Sequence, residues 1–306
     1  MRLSKNSIFS FLSGGLICLT ACLSIGSSDS EKVMDGRPVV MSMTSSPDIP
    51  ASVIFCGKPI DLTRYNMREG FDREMSSFTY FHSTTMLLIK RANRYFPVIE
   101  PILKANGIPD DFKYLMVIES NLNNIARSPA GAAGLWQFMP ATGREFGLEV
   151  NDNVDERYHI EKATVAACKY FKQAYAKYGD WMAVCAAYNA GQGRISSQLD
   201  KQLASHAMDL WLVEETSRYM FRILAAKEIF NNPQRYGFLL KREHLYPPIP
   251  YKKMTVATSI DNLSDYAKSQ GITYAQLRDA NPWLRDISLK NKTGKTYTLY
   301  IPTQEG

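Results

Sequence analysis

The chain has 306 residues, of which 45% are hydrophobic and 22% charged, with a formal net charge of +6. That is enough apolar material for one sizeable core and a second small one, so a catalytic-size domain plus an accessory module is the natural division. The basic excess is mild and spread along the sequence, which excludes the clustered Lys and Arg of a nucleic-acid-binding surface and is compatible with an anionic polymer.

At the N-terminus, Arg2 and Lys5 precede an apolar stretch from Ile8 to Leu19 that is short for a bilayer span and reads as a cleaved targeting segment. Its end, Leu19-Thr-Ala-Cys22, resembles the lipobox of bacterial lipoproteins, which implies cleavage after residue 21 and a lipidated Cys22 as first residue. The plainer alternative is an ordinary secretory signal with an incidental cysteine. Loss of residues 1–21 removes Arg2 and Lys5 and leaves a charge of +4. Acyl chains on Cys22 would hold a globular domain at a membrane surface, and Ser24 to Ser30 suits a flexible tether. Leu23 stands where enterobacterial lipoproteins retained in the inner membrane carry aspartate, so the expected location is the cell envelope, anchored by lipid to the outer membrane and facing the periplasm.

From Met86 to Phe96 the pattern is an amphipathic helix, and Pro97 and Pro101 are expected to restart the chain as a second helix ended by Gly107. Pro109-Asp-Asp111 opens the next helix, Tyr114-Leu-Met-Val-Ile118, which delivers Glu119. Asn121 to Gly134 reads as a loop or short hairpin. Helices are then expected over Glu161–Lys177, Asp180–Tyr188 and Glu214–Phe230. Cys168 and Cys185 lie among small apolar residues as buried thiols, with a disulfide between them left open for an exported chain. Tyr246-Pro-Pro-Ile-Pro250 blocks helix and marks a boundary.

Glu119 is the candidate for chemistry. A carboxylate at the C-terminal end of a buried helix meets low dielectric and the negative pole of the helix, and both disfavour its ionised form. Such a group is a general acid. No motif nominates a second catalytic carboxylate: Asp110 and Asp111 lie at the far end of the helix, and Asp152, Asp155 and Glu156 fall in a polar loop suited to turns and caps. The histidines His82, His159, His206 and His244 stand isolated, and neither a metal-ligand spacing nor a phosphate-binding loop is present, so no metal or cofactor is inferred.

Glu119-Ser120, Gly134-Leu-Trp-Gln137, Ala187-Tyr-Asn-Ala-Gly191 and Glu215-Thr-Ser-Arg-Tyr219 occur in that order over about a hundred residues. Together they resemble the catalytic domain of the lytic transglycosylases on a goose-type lysozyme fold. The membrane-bound type D branch is the nearest in pattern through Leu135-Trp-Gln-Phe138 and Thr142-Gly143. The resemblance implies a mainly α fold, an α+β lysozyme-like catalytic domain, acting on peptidoglycan glycan strands. It implies cleavage of the β-1,4 bond between N-acetylmuramic acid and N-acetylglucosamine, with the muramoyl C6 hydroxyl as internal nucleophile and a 1,6-anhydro end as product. Glu119 would be the sole acid and base. Ser120, Ser128, Gly134, Gln137, Tyr188, Asn189 and Tyr219 would bind substrate or border the glutamate, Tyr219 reaching its carboxyl. Trp136 and Phe138 could stack on sugars, although their periodicity is that of core residues.

Past the prolines, Leu263-Ser-Asp-Tyr-Ala-Lys268, Ile272 to Asn281 and Tyr297-Thr-Leu-Tyr-Ile-Pro302 resemble a LysM module, a small βααβ unit. Its usual Gly-Asp-Thr-Leu entry is replaced by Ser259-Ile-Asp-Asn-Leu263, so the fold is better supported than sugar binding. The expected organisation is a signal peptide at 1–21, a tether and N-terminal extension at 22–71, a lysozyme-like domain at 72–246 and a LysM-like domain at 247–306. Competing readings are a lysozyme-type hydrolase on the same fold and a non-catalytic wall-binding scaffold; the sequence names no protein partner.

Overall fold

A computed structural model describes residues 45–303; the signal segment, Cys22 and the first part of the tether lie outside the described residues. A hairpin, β1 (Ser52–Phe55) and β2 (Lys58–Asp61), leads into α1 (Tyr65–Tyr80), α2 (His82–Ala105) and α3 (Lys113–Ser120). There follow α4 (Pro140–Glu145), α5 (Ile160–Tyr178), α6 (Trp181–Ala190), α7 (Gln192–Gln202) and α8 (Glu214–Asn231). The last unit is β3 (Tyr251–Val256), α9 (Leu263–Ser269), α10 (Tyr274–Ala280) and β4 (Tyr297–Pro302). The mainly helical expectation holds, with strands confined to two short antiparallel pairs among the described residues.

The core forms around α3, because Tyr114, Leu115, Met116 and Val117 are all buried there and leave no polar face before the last turn. Small side chains let neighbours approach closely: α6 is buried continuously from Met182 to Ala187. Its start is fixed by Asp180, whose carboxylate accepts from the Met182 amide, and α5 before it ends at Gly179 in the left-handed region. Asp72 falls inside α1, and Met67, Phe71 and Met75 share the main core with Val53 and Phe55 of the hairpin. Cys56, Cys168 and Cys185 are free thiols.

One helix differs from expectation. Pro97 and Pro101 do not restart the chain but sit inside a continuous α2. Both are exposed, one turn apart, while Ala92, Ile99 and Leu103 on the other side are buried. Each proline frees one helix carbonyl, and on the solvent face water satisfies it, so packing of the opposite stripe outweighs the loss. No helix among the described residues is long and apolar enough to cross a membrane.

The βααβ unit is present as expected, with β3 and β4 paired from Tyr251↔Pro302 to Val256↔Tyr297. It does not hang from a loose link. Leu263, Leu277, Trp283, Leu284 and Leu299 form one apolar cluster with Ala133, Val154 and Tyr158 of the helical unit. The Asp155 amide donates to the Trp283 carbonyl at 2.8 Å, the Arg285 amide to the Asn153 carbonyl at 2.9 Å, and Lys295 Nζ bridges Glu149 (2.6 Å) and Glu156 (3.0 Å). Even the proline segment is pinned, with Asn93 Nδ2 donating to the Tyr246 carbonyl and Arg94 Nε to that of Pro247.

Candidate active site

Glu119 occupies the last turn of α3, and the chain leaves that helix abruptly: Asn121 and Leu122 both have φ of +51°. The left-handed region costs a non-glycine residue of this kind about 1–2 kcal/mol. It is held here by full burial of Leu122 and by Arg91 Nη1, which donates to the Asn121 carbonyl at 2.9 Å. The turn carries the backbone away from the carboxyl and leaves Glu119 partly accessible at the end of an otherwise buried helix.

The Tyr219 hydroxyl, from α8, donates to Glu119 Oε1 at 2.6 Å, as the sequence suggested. Burial raises the Glu119 pKa from 4.5 to about 7, outweighing the Tyr219 hydrogen bond and the Arg222 charge, which both favour the anion; Glu215 adds a smaller push upward. Burial also holds the Tyr219 and Tyr188 phenols well above their ordinary range, and the Glu119 charge raises both further, so both are neutral donors. Tyr188 faces the same carboxyl electrostatically but spends its hydroxyl on the Trp136 carbonyl at 2.6 Å. Asn189 follows it, half-buried in the last turn of α6.

The segment after Glu119 is the expected small hairpin, closed by the bridges Arg127↔Ala133 and Ala133↔Phe138. Ser128 Oγ accepts from the Ala132 amide at 3.0 Å and shapes the turn. Gly134 has φ of +77°, and a Cβ there would lie 2.0 Å from the Arg157 carbonyl oxygen, so glycine alone fits. Gln137, at φ of +48°, directs its Nε2 to the Gly134 carbonyl at 2.8 Å and that of Ala126 at 3.2 Å. Gln137, Met139, Thr142, Gln173, Tyr188 and Gln192 help line an open cleft of about 380 Å³ on this side of the site.

Three expected residues lie inward. Ser120 is 6% exposed and its hydroxyl donates to the Met116 carbonyl at 3.0 Å, closing a helix turn rather than facing the cleft. Trp136 and Phe138 are core residues; the indole Nε1 donates to Thr164 Oγ1. Sugar stacking on either ring is therefore replaced by packing.

Sequence reasoning missed Arg157. Buried at 5% exposure, it forks onto Asp155 (2.9 and 2.7 Å) and donates through Nη1 to the carbonyls of Gly131 (2.8 Å) and Phe138 (2.9 Å), clamping the turn that carries Gln137. Asp155 does cap its own short turn, accepting from the Arg157 amide. The signal was the cation itself, placed among acidic residues in a loop otherwise explained by caps. Glu215 was counted only as part of a motif; its spacing of four from Tyr219 already put both on one face of α8.

Residues 97–209 match the transglycosylase SLT domain family, and residues 252–305 match the soluble lytic transglycosylase C-terminal LysM-like domain. The chain is 29% identical over 247 residues to membrane-bound lytic murein transglycosylase D of Escherichia coli (strain K12), covering 76% of this chain and 51% of that protein. It thus spans about half the length of that relative. It is 31% identical over 135 residues to the peptidoglycan transglycosylase gp16 of Escherichia phage T7, covering 42% of this chain and 10% of that one. Among solved structures it is similar to the 70 kDa soluble lytic transglycosylase of Escherichia coli, at 19% identity and a TM-score of 0.42, over 59% of this chain and 32% of that one. The helical unit is thus similar to the transglycosylase SLT domain, and the C-terminal unit to the LysM-like domain of soluble lytic transglycosylases.

Proposed function

We propose that the protein is a peptidoglycan lytic transglycosylase in which Glu119 acts first as acid and then as base. The observation that carries this reading is a single partly buried carboxyl, held by burial at a pKa of about 7 and touched by a neutral phenol. Such a group is protonated often enough to donate and basic enough to take a proton back. Glu119 gives its proton to the glycosidic oxygen as the C1–O bond breaks and the electron pair goes to the leaving sugar. The resulting carboxylate is held by Tyr219 and lies near the oxocarbenium-like carbon. It then removes the proton of the muramoyl C6 hydroxyl, whose oxygen bonds to C1 and closes the 1,6-anhydro ring. Peptidoglycan as substrate is supported by both domain matches and by the names of the relatives. Of the expected substrate contacts, Gln137 and Tyr188 line the cleft, Asn189 follows Tyr188 in the last turn of α6, and Gly134 and Ser128 act through the turn they shape.

A lysozyme-type hydrolysis is the second reading, and one observation favours it: Glu215, an exposed carboxylate, acts electrostatically on Glu119 and could orient a water. Mass spectrometry of products from isolated sacculi separates the two. The anhydro ends expected here are lighter by one water than the reducing ends of hydrolysis, and they disappear with Glu119→Gln. Reducing ends from the wild type, or unchanged turnover by Glu119→Gln, would overturn the proposal. Placement in the cell envelope, with lipid on Cys22 holding the protein at the outer membrane, is supported by the lipobox-like Leu19-Thr-Ala-Cys22 and by the membrane-bound name of one relative.

A further inference from the structure

Helix α1 lies along α8, and both fall outside residues 97–209, the span that matches the transglycosylase SLT domain family. The two helices close on each other at Gly70, where a Cβ would stand 2.5 Å from the Phe221 ring. One turn further along the same face comes Glu74, whose side chain is 1% exposed. Guanidinium groups surround it. Arg73 Nε donates to its Oε1 at 3.1 Å and Arg218 Nε at 2.8 Å, while Arg222 Nε lies 4.0 Å from its Oε2. Glu214, largely in solvent, pairs with Arg73 at 3.2 Å and Arg218 at 3.9 Å. Three cations thus face two carboxylates, which leaves a net positive charge beside the active site.

Arg222 sits at the seam between two faces of α8. Four residues after Arg218, it reaches toward Glu74; three residues after Tyr219, it can turn toward the carboxyl that the Tyr219 hydroxyl touches. Its charge already acts on Glu119, against the burial that keeps that group protonated. The other groups facing Glu119 are Tyr219 and Glu215 from the same helix and Tyr188 from α6, whose hydroxyl goes to the Trp136 carbonyl; Arg91 of α2 is committed to the Asn121 carbonyl. A guanidinium closing on Glu119 would hold it as the anion and remove the proton it has to deliver. We propose that Glu74 is a positioning residue for the acid: it draws Arg222 toward α1 and keeps that guanidinium from closing on the Glu119 carboxyl. The proposal rests on the acid and base reading of Glu119 above, and it extends the machinery to a helix that carries none of the four catalytic motifs.

The test reads Glu119 directly. The full chain is labelled with carbon-13 at the glutamate side-chain carboxyls, the Glu119 signal being the one lost in Glu119→Gln. Its titration midpoint is followed by NMR beside the alkaline limb of kcat/KM on purified glycan strands. Glu74→Gln keeps the shape and releases Arg222, so both readouts should move down by about half a pH unit, the partial exposure of Arg222 damping the effect. Arg222→Gln should move both up by a similar amount, and in that background Glu74→Gln should move neither. Where Glu74→Gln does not fold, Glu74→Asp, which shortens the reach and keeps the charge, should give a smaller step in the same direction. A midpoint that stays fixed in the Glu74 variant while stability alone falls would make the cluster a structural ion-pair network and overturn the proposal. A downward step that persists in the Arg222→Gln background would overturn it too. Anhydro ends from the wild type with fixed midpoints would sink this inference alone, whereas reducing ends would sink the function it rests on and leave the midpoints to decide the role of Glu74.

Discussion

Replacing Glu119 by glutamine should stabilise the protein, and the gain should depend on pH. Burial raises the folded-state pKa of Glu119 from 4.5 to about 7. Between those values the unfolded chain has already released its proton while the folded protein keeps it, so stability falls as pH rises and levels off above about 7. A gap of roughly 2.5 units corresponds to about 3 kcal/mol at 1.36 kcal/mol per unit. The substituted amide would retain the shape and still accept from Tyr219, but would not have to be ionised. Wild type and Glu119→Gln should therefore unfold alike near pH 4.5. At pH 8 the variant should lead by up to about 3 kcal/mol, or about 6–12 °C in Tm at 2–4 °C per kcal/mol. Water reaching the accessible part of the carboxyl makes these upper bounds. Thermal and urea unfolding of both proteins at pH 4.5, 6 and 8 gives the comparison. An offset that is the same at all three values, or a variant less stable at pH 8, would refute the claim that desolvation sets this acid.

The remaining predictions concern the neighbours of that carboxyl. Tyr219→Phe removes a hydrogen bond that favours the anion, so the alkaline limb of the kcat/KM profile on purified glycan strands should move up by about one pH unit. Glu215→Gln removes a like charge, so the same limb should move down by a few tenths of a unit with anhydro products retained; loss of all product would favour the hydrolase reading. Gly134→Ala forces a Cβ against the Arg157 carbonyl at a positive φ and should destabilise by about 2–5 kcal/mol in urea titrations. Arg157→Ala leaves the Asp155 charge buried without its partner and should cost roughly 3–5 kcal/mol, whereas an exposed cation such as Lys290, paired with Asp286, should cost under about 1 kcal/mol.

The local layer of the fold was legible because local signals agree with packing. The apolar run before Glu119, the Asp180 cap, the Gly179 stop and the one-sided spacing of α5 each specify an element without help from distant residues. Pro97 and Pro101 misled because the expected break treats every proline alike, whereas the outcome depends on which side of the helix faces water, and only the folded core decides that. Within the site, Tyr219 could be assigned through family resemblance, and its hydroxyl does reach Glu119. Ser120 illustrates the opposite case: a hydroxyl beside the acid in sequence points about one residue's rotation away on the helix, and there it meets the Met116 carbonyl instead of the cleft.

Docking of the C-terminal unit was not legible, and its consequence reaches the active site. The Trp283 carbonyl receives the Asp155 amide, Asp155 holds the Arg157 fork, and Arg157 holds the carbonyls of Gly131 and Phe138 on either side of Gln137. Five residues between Asn121 and Gln137, namely Asn121, Leu122, Gly131, Gly134 and Gln137, have positive φ, and three of these are not glycine. Strain of that density persists only where the surroundings over-determine the backbone. Here part of the restraint comes from residues more than a hundred positions further along the chain, each link a hydrogen bond between groups that a sequence pattern does not pair. The C-terminal unit is thus part of the framework that shapes the cleft, and the polar loop from Glu149 to His159, bland when read alone, transmits that restraint.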